Sequence, residues 1–217
     1  MIHCRGLNAG ADSSNGASLM MALVVLVIMS VAAISLVRSV NTGKMIASNL
    51  AFRQAAALAS DAGTEAAIRW LEPQVSTAAL YADQGDQGYY ASVPQGLDIS
   101  GLSTQGARVA IDWEGDQCAG STASTCVSAA PALAADPAGN VIRYTVHRLC
   151  RYAGSPYSGS NSCLMADGGS GASAKRGQLS YGASSRFGKT TGTYYRITVR
   201  VRGPRNTTVF TQVLVHY

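Results

Sequence analysis

Residues Ala17 to Val37 read ASLMMALVVLVIMSVAAISLV, 21 consecutive positions without a charge, a proline or a glycine. No other stretch limits so strongly what the chain can become. At about 1.5 Å per residue, a helix of that length crosses the roughly 30 Å hydrocarbon layer of a bilayer. Leu, Met and Ala favour the helical state. A core helix of a soluble domain keeps a polar face, whereas this run is apolar all round. A secretory signal has an apolar region of about 7–15 residues, and this one is longer. The run predicts a transmembrane helix over 17–37.

The helical pattern does not stop there. Met45, Ile46, Leu50, Ala51, Ala55, Leu58, Ala62, Ala66 and Leu71 recur at spacings of three to five, and Asn49, Arg53, Gln54, Asp61 and Glu65 lie on the faces between them. That spacing predicts an amphipathic helix continuing from the apolar span. Pro73 ends it. One helix over 17–72 results, near 80 Å long at the helical rise, with Gly43 and Gly63 as soft points. Its second half can lay an apolar stripe on a sheet. Its first half can leave lipid only where other apolar helices replace it, as in a bundle of many such subunits.

The remaining residues, 73–217, are expected to form one α+β domain. The chain is 47% apolar and 13% charged, which excludes a disordered chain, while 23 Gly against 3 Phe points to a modest core with much loop. Four segments alternate with period two: Ala107–Trp113, Val141–Leu149, Tyr194–Arg202 and Thr207–Tyr217. In the third, Tyr195, Ile197, Val199 and Val201 oppose Tyr194, Arg196, Thr198, Arg200 and Arg202. Gly203–Asn206 joins the last two as a hairpin turn. These segments predict an antiparallel sheet of about four strands with one apolar face, covered by the long helix.

Cys118, Cys126, Cys150 and Cys163 follow the apolar run, and Cys4 precedes it. Four cysteines in a polar, loop-rich region fit two disulfides in an oxidising compartment, with three pairings open. Short loops close most readily, which favours Cys118–Cys126 and Cys150–Cys163. The bridges would pin long loops, and partner-specific surface is expected in 114–140 and 151–192. No Cys-x-x-Cys occurs and His3, His147 and His216 are scattered, so no metal and no cofactor are expected. No phosphate-cradling Gly-rich loop and no Gly-x-Ser-x-Gly elbow is present, so no catalytic residues are assigned. His147 and His216 read as half-exposed strand histidines. The net charge of +5 includes no run of five like charges. The face carrying Arg196, Arg200, Arg202 and Arg205 fits either an anionic partner such as DNA or a plain solvated surface.

Gly16-Ala17-Ser18-Leu19-Met20-Met21-Ala22-Leu23-Val24, then Arg38-Ser39, Met45–Leu50 and Arg53-Gln54-Ala55, resemble the type IV pilin superfamily, specifically the PilX-type minor pilins. Arg143–Cys150 and Tyr195–Gly203 look like C-terminal segments of the same family. The resemblance covers about 16–72 and 141–217. It implies cleavage by a prepilin peptidase between Gly16 and Ala17, methylation of Ala17, and a discarded leader of residues 1–16. It implies a minor pilin, held in the inner membrane with its N-terminus cytoplasmic and then in an extracellular pilus. Its partners would be other minor pilins, the major pilin and a tip adhesin, met through the helix and loops. Most pilins carry Glu where this chain has Met21. PilX-type minor pilins and the tip pseudopilin of type II secretion often lack it too, and a subunit at the tip has none above it to pair with, so a place at or near the tip is expected. Arg38, Lys44 and Arg53 beyond the span outnumber Arg5 before it, which by the positive-inside rule favours the opposite orientation. The cysteines and the resemblance favour an exported domain. A pseudopilin of type II secretion and a membrane-anchored periplasmic binding domain are the alternative readings.

Overall fold

The computed structural model describes residues 15–104, 107–134, 136–166 and 192–217. Cys4, most of the expected leader and the 167–191 part of the long loop lie outside the described residues. The N-terminal helix α1 spans Asn15–Leu71, 57 residues. Compact units divide within it: one reaches to Leu50, the other is Ala51–Tyr217.

In the first unit every side chain from 17 to 47 is exposed. Two hydroxyls there bond back to the helix's own carbonyls: Ser30 Oγ donates to Leu26 O at 2.7 Å and Thr42 Oγ1 to Arg38 O at 3.0 Å. Gly43 has open space where a side chain would be.

In the second unit α1 buries Ala56, Ser60, Gly63, Ala67 and Leu71, a stripe at spacings of three and four. This corrects the stripe expected from spacing, because Ala51, Leu58 and Ala62 are exposed, Leu58 at 72%. The seam is selected by size as well as by hydrophobicity. A Cβ on Gly63 would sit 2.5 Å from Val199 Cγ1 and 2.8 Å from Ile142 Cγ2, so the helix lies too close to the sheet for larger residues. Gly63 is thus a close-approach position, not a soft point. After Leu71 the chain tightens into a 3-10 turn, Glu72–Gln74, that contains Pro73.

Among the described residues eight strands follow: β1 (Tyr89–Tyr90), β2 (Leu97–Asp98), β3 (Val109–Asp112), β4 (Thr125–Ser128), β5 (Val141–Arg148), β6 (Met165–Ala166), β7 (Gly192–Arg202) and β8 (Thr208–His216). β7 pairs antiparallel with β5, β6 and β8, with Ile197 opposite Val146 and Val213. β1 pairs parallel with β5. The main sheet is therefore mixed, not purely antiparallel. The expected first strand is not part of it: β3 lies in a separate parallel sheet between β2 and β4. Alternation marks a strand and its faces but names neither its partner nor its direction.

The inner face of the main sheet carries Ile142, Tyr144, Val146, Tyr195, Ile197, Val199 and Val201, all buried with Ala56, Ala67 and Leu71 of the helix. The outer face is covered as well. Trp113 meets Phe210 edge-on at 6.0 Å, and Tyr90 Oη donates to Ser128 O at 2.9 Å. The small sheet, with its own cluster of Ile111, Trp113 and Ala129, forms this second cover. Thr145, His147 and Thr198 on the outer face are consequently fully buried.

Candidate functional site

The feature with the largest physical consequence is the apolar surface of α1. Fourteen large apolar side chains between Leu19 and Val37 are exposed, from 47% at Val25 to 72% at Met21. At about 1.5 kcal/mol or more per side chain, leaving water is worth on the order of 20 kcal/mol. The helix is long and apolar enough to cross a membrane, and none of its apolar window is buried within the protein. From Leu19 onward the helix satisfies its own amide N–H groups, so the body of the run strands no amide on this transfer.

The residues expected to be processed lie at the start of this element. Gly16 and Ala17 are in the first turn of α1, and Met21 is one turn further on. No side chain from 17 to 37 carries a charge that would need a partner in an apolar environment.

The loops of the second unit are tied down. Cys118 and Cys126 are bonded with Cα atoms 6.0 Å apart, and Cys150 and Cys163 with Cα atoms 3.9 Å apart. Just before the first bridge, Asp112 accepts from Gly115 N at 2.7 Å, Asp116 N at 3.1 Å and Gln117 N at 2.8 Å. Burial pushes the Asp112 carboxyl up, but these donors outweigh it and hold it below the usual carboxylate range. Asp98 is similar. Its burial is outweighed by Ser103 N, Gly101 N, Ser100 Oγ and the Arg108 guanidinium, whose Nε is 3.3 Å away. Around the second bridge, Arg151 N donates to Ser162 O and Leu164 N to Leu149 O, both at 2.8 Å.

The basic outer face is partly neutralised. Glu114 bridges Arg200 at 2.6 Å and Arg202 at 2.7 Å, while Arg205 lies over the Phe52 ring at 5.1 Å. Arg196 is half-buried and its Nε has no hydrogen-bond partner. His147 is not half-exposed. It is fully buried, stacked on Tyr90 at 5.2 Å, with neither ring nitrogen hydrogen-bonded. Sequence reasoning missed this because the cover arrives from residues 113–130, distant in sequence. His216 is exposed beside Tyr194. Among the described residues no group of three or more His, Cys, Asp and Glu is placed to hold a metal ion.

Comparison with known proteins finds no matching family model, no curated relative and no similar solved structure. The functional reading therefore rests on the chain's own chemistry.

Proposed function

We propose that this chain is a minor pilin, a non-enzymatic structural and assembly subunit of a type IV pilus at or near the filament tip. The observation that carries the reading is an uncharged, fully exposed apolar helix running without interruption into a helix that packs on a disulfide-bonded α+β domain. Such a helix is stable in lipid or among like helices, and moving between those two environments costs little. The subunit would insert in the inner membrane, lose residues 1–16 to a prepilin peptidase, and enter the pilus through α1. There it would help initiate assembly and support adhesion or twitching. The disulfides fit a domain exported to an oxidising compartment.

Met21 is what favours the tip. A subunit with none above it has no neighbouring amine to pair with a glutamate, and an unpaired buried charge is costly. In cells that make pili, the chain is expected in sheared filaments at far below the copy number of the major subunit. Met21→Glu should change that stoichiometry or position. An unchanged distribution of the variant would remove the tip assignment. Presence in the secretion apparatus rather than in sheared pili would favour the pseudopilin reading.

A further inference from the structure

Within the second unit, a cavity of about 310 Å³ lies between the 3-10 turn Ala78–Tyr81, the loop after Cys150 and the end of β8. Its walls include Thr77, Tyr81, Arg148, Tyr157, Tyr195 and Tyr217. Arg148 is only 1% exposed. Its Nε donates to Ala91 O at 2.9 Å and its Nη2 to Gly154 O at 2.6 Å. A guanidinium carries five N–H donors in a fixed fork. These bonds use one hydrogen of Nε and one of Nη2, which leaves one on Nη2 and two on Nη1.

Among the described residues no carboxylate contacts this cation directly; Asp83 is linked to it only through Ala91, whose N–H donates to Asp83 Oδ1 at 2.7 Å. None of the four ion pairs among the described residues includes Arg148. The neighbouring tyrosines do not supply an anion. Burial pushes the Tyr89 and Tyr195 hydroxyls up, and the opposing pull of Arg148 is smaller, so both stay neutral at physiological pH. Tyr81 offers only its ring, 6.0 Å from Arg148 Cζ. A buried cation held by carbonyl dipoles and an aromatic ring, with no carboxylate in direct contact, gains from an anion that reaches its remaining donors.

We propose that this cavity binds a small monocarboxylate with a flat apolar body, its oxygens taking the remaining Nη hydrogens of Arg148 and its body lying among the tyrosine rings. One negative charge matches one buried positive charge, and the planar fork matches a carboxylate bidentately. A phosphate dianion would carry an excess charge into a pocket with a single cation. The site is independent of the pilus reading, and each can fail without the other.

The test is calorimetric titration of the full chain in a neutral detergent, with benzoate, benzamide and inorganic phosphate as probes. Benzoate should bind saturably. Benzamide, of the same shape but uncharged, should bind about tenfold more weakly, the margin of a charge-assisted pair over a neutral one. Phosphate should give no saturable heat. Arg148→Gln should abolish benzoate binding. Because that variant removes a buried anchor of two loops, Ser76→Trp serves as its control: Ser76 is exposed and lines the cavity, so a bulky ring there should weaken benzoate at least about tenfold and leave the unfolding temperature unchanged. Failure of benzoate to bind, equal binding of benzamide or phosphate, or full benzoate affinity in a folded Ser76→Trp variant would each overturn the site.

Discussion

A buried histidine whose ring nitrogens both lack partners must stay neutral, and that makes the stability of the domain depend on pH. Burial, reinforced by the charge of Arg196 facing it across the β5–β7 ladder, lowers His147 from 6.5 to about 4. The folded-state value lies below the unfolded one, so the unfolded chain takes up the proton first as pH falls. The stabilising contribution is whole above about 6.5 and is lost progressively down to about 4, on the order of 3 kcal/mol in all. Asp98, Asp112 and Glu114 are held below the usual carboxylate range despite burial, the last by Arg200, Arg202 and Arg143. Their contribution is present above the ordinary carboxylate value and is lost only at lower pH. Denaturant midpoints measured against pH should therefore fall in two windows, and His147→Phe should remove the upper one alone. At Gly63 the prediction is steric. Gly63→Ala should destabilise by about 1–3 kcal/mol, since Val199 and Ile142 would have to move. Val199→Ala in the same chain should recover part of that loss in thermal unfolding. The inward row Tyr195, Ile197, Val199 and Val201 was readable from alternation, and all four are buried. The burial of Thr145, His147 and Thr198 was not, because it is imposed by a small sheet built from residues 97–128, and nothing local to β5 or β7 announces it.

At the scale of elements, α1 was the most legible part of the chain. Its length and its end near Pro73 follow from composition and from one residue type that cannot continue a helix. Its buried seam was legible only in part: Leu71 is buried and Ala66 packs on the core, but Leu58 and Ala62 face out where Ala56, Ser60, Gly63 and Ala67 face in. Only the close approach of the sheet discriminates between them. The two-residue strands β1, β2 and β6 were invisible, since two residues carry no period. The disulfides make their own prediction. Their partners are 8 and 13 residues apart, and replacing Cys150 and Cys163 together with Ser should cost about 2–3 kcal/mol in chemical unfolding. For the apolar helix, Ile28→Arg places a charge at the middle of the run. It should oppose insertion by about 2.5–3.5 kcal/mol and shift the chain out of the membrane fraction.

At the scale of the whole molecule, the two units have opposite relations to water. Residues 51–217 close a core between helix and sheet, and a second small core beneath the outer face. Residues 17–37 close nothing and expose an apolar surface along their whole length. A chain so divided needs a second medium for its first unit; lipid fits, and the proposed pilus would add a bundle of like helices. Mass spectrometry of the intact N-terminus, on chain recovered from membranes and from sheared filaments, tests this account most directly. The account predicts that the mature protein begins at Ala17, that its amine carries a methyl group, and that residues 1–16 are gone. A mature protein that still carries those residues, or that begins after the apolar run, would contradict it.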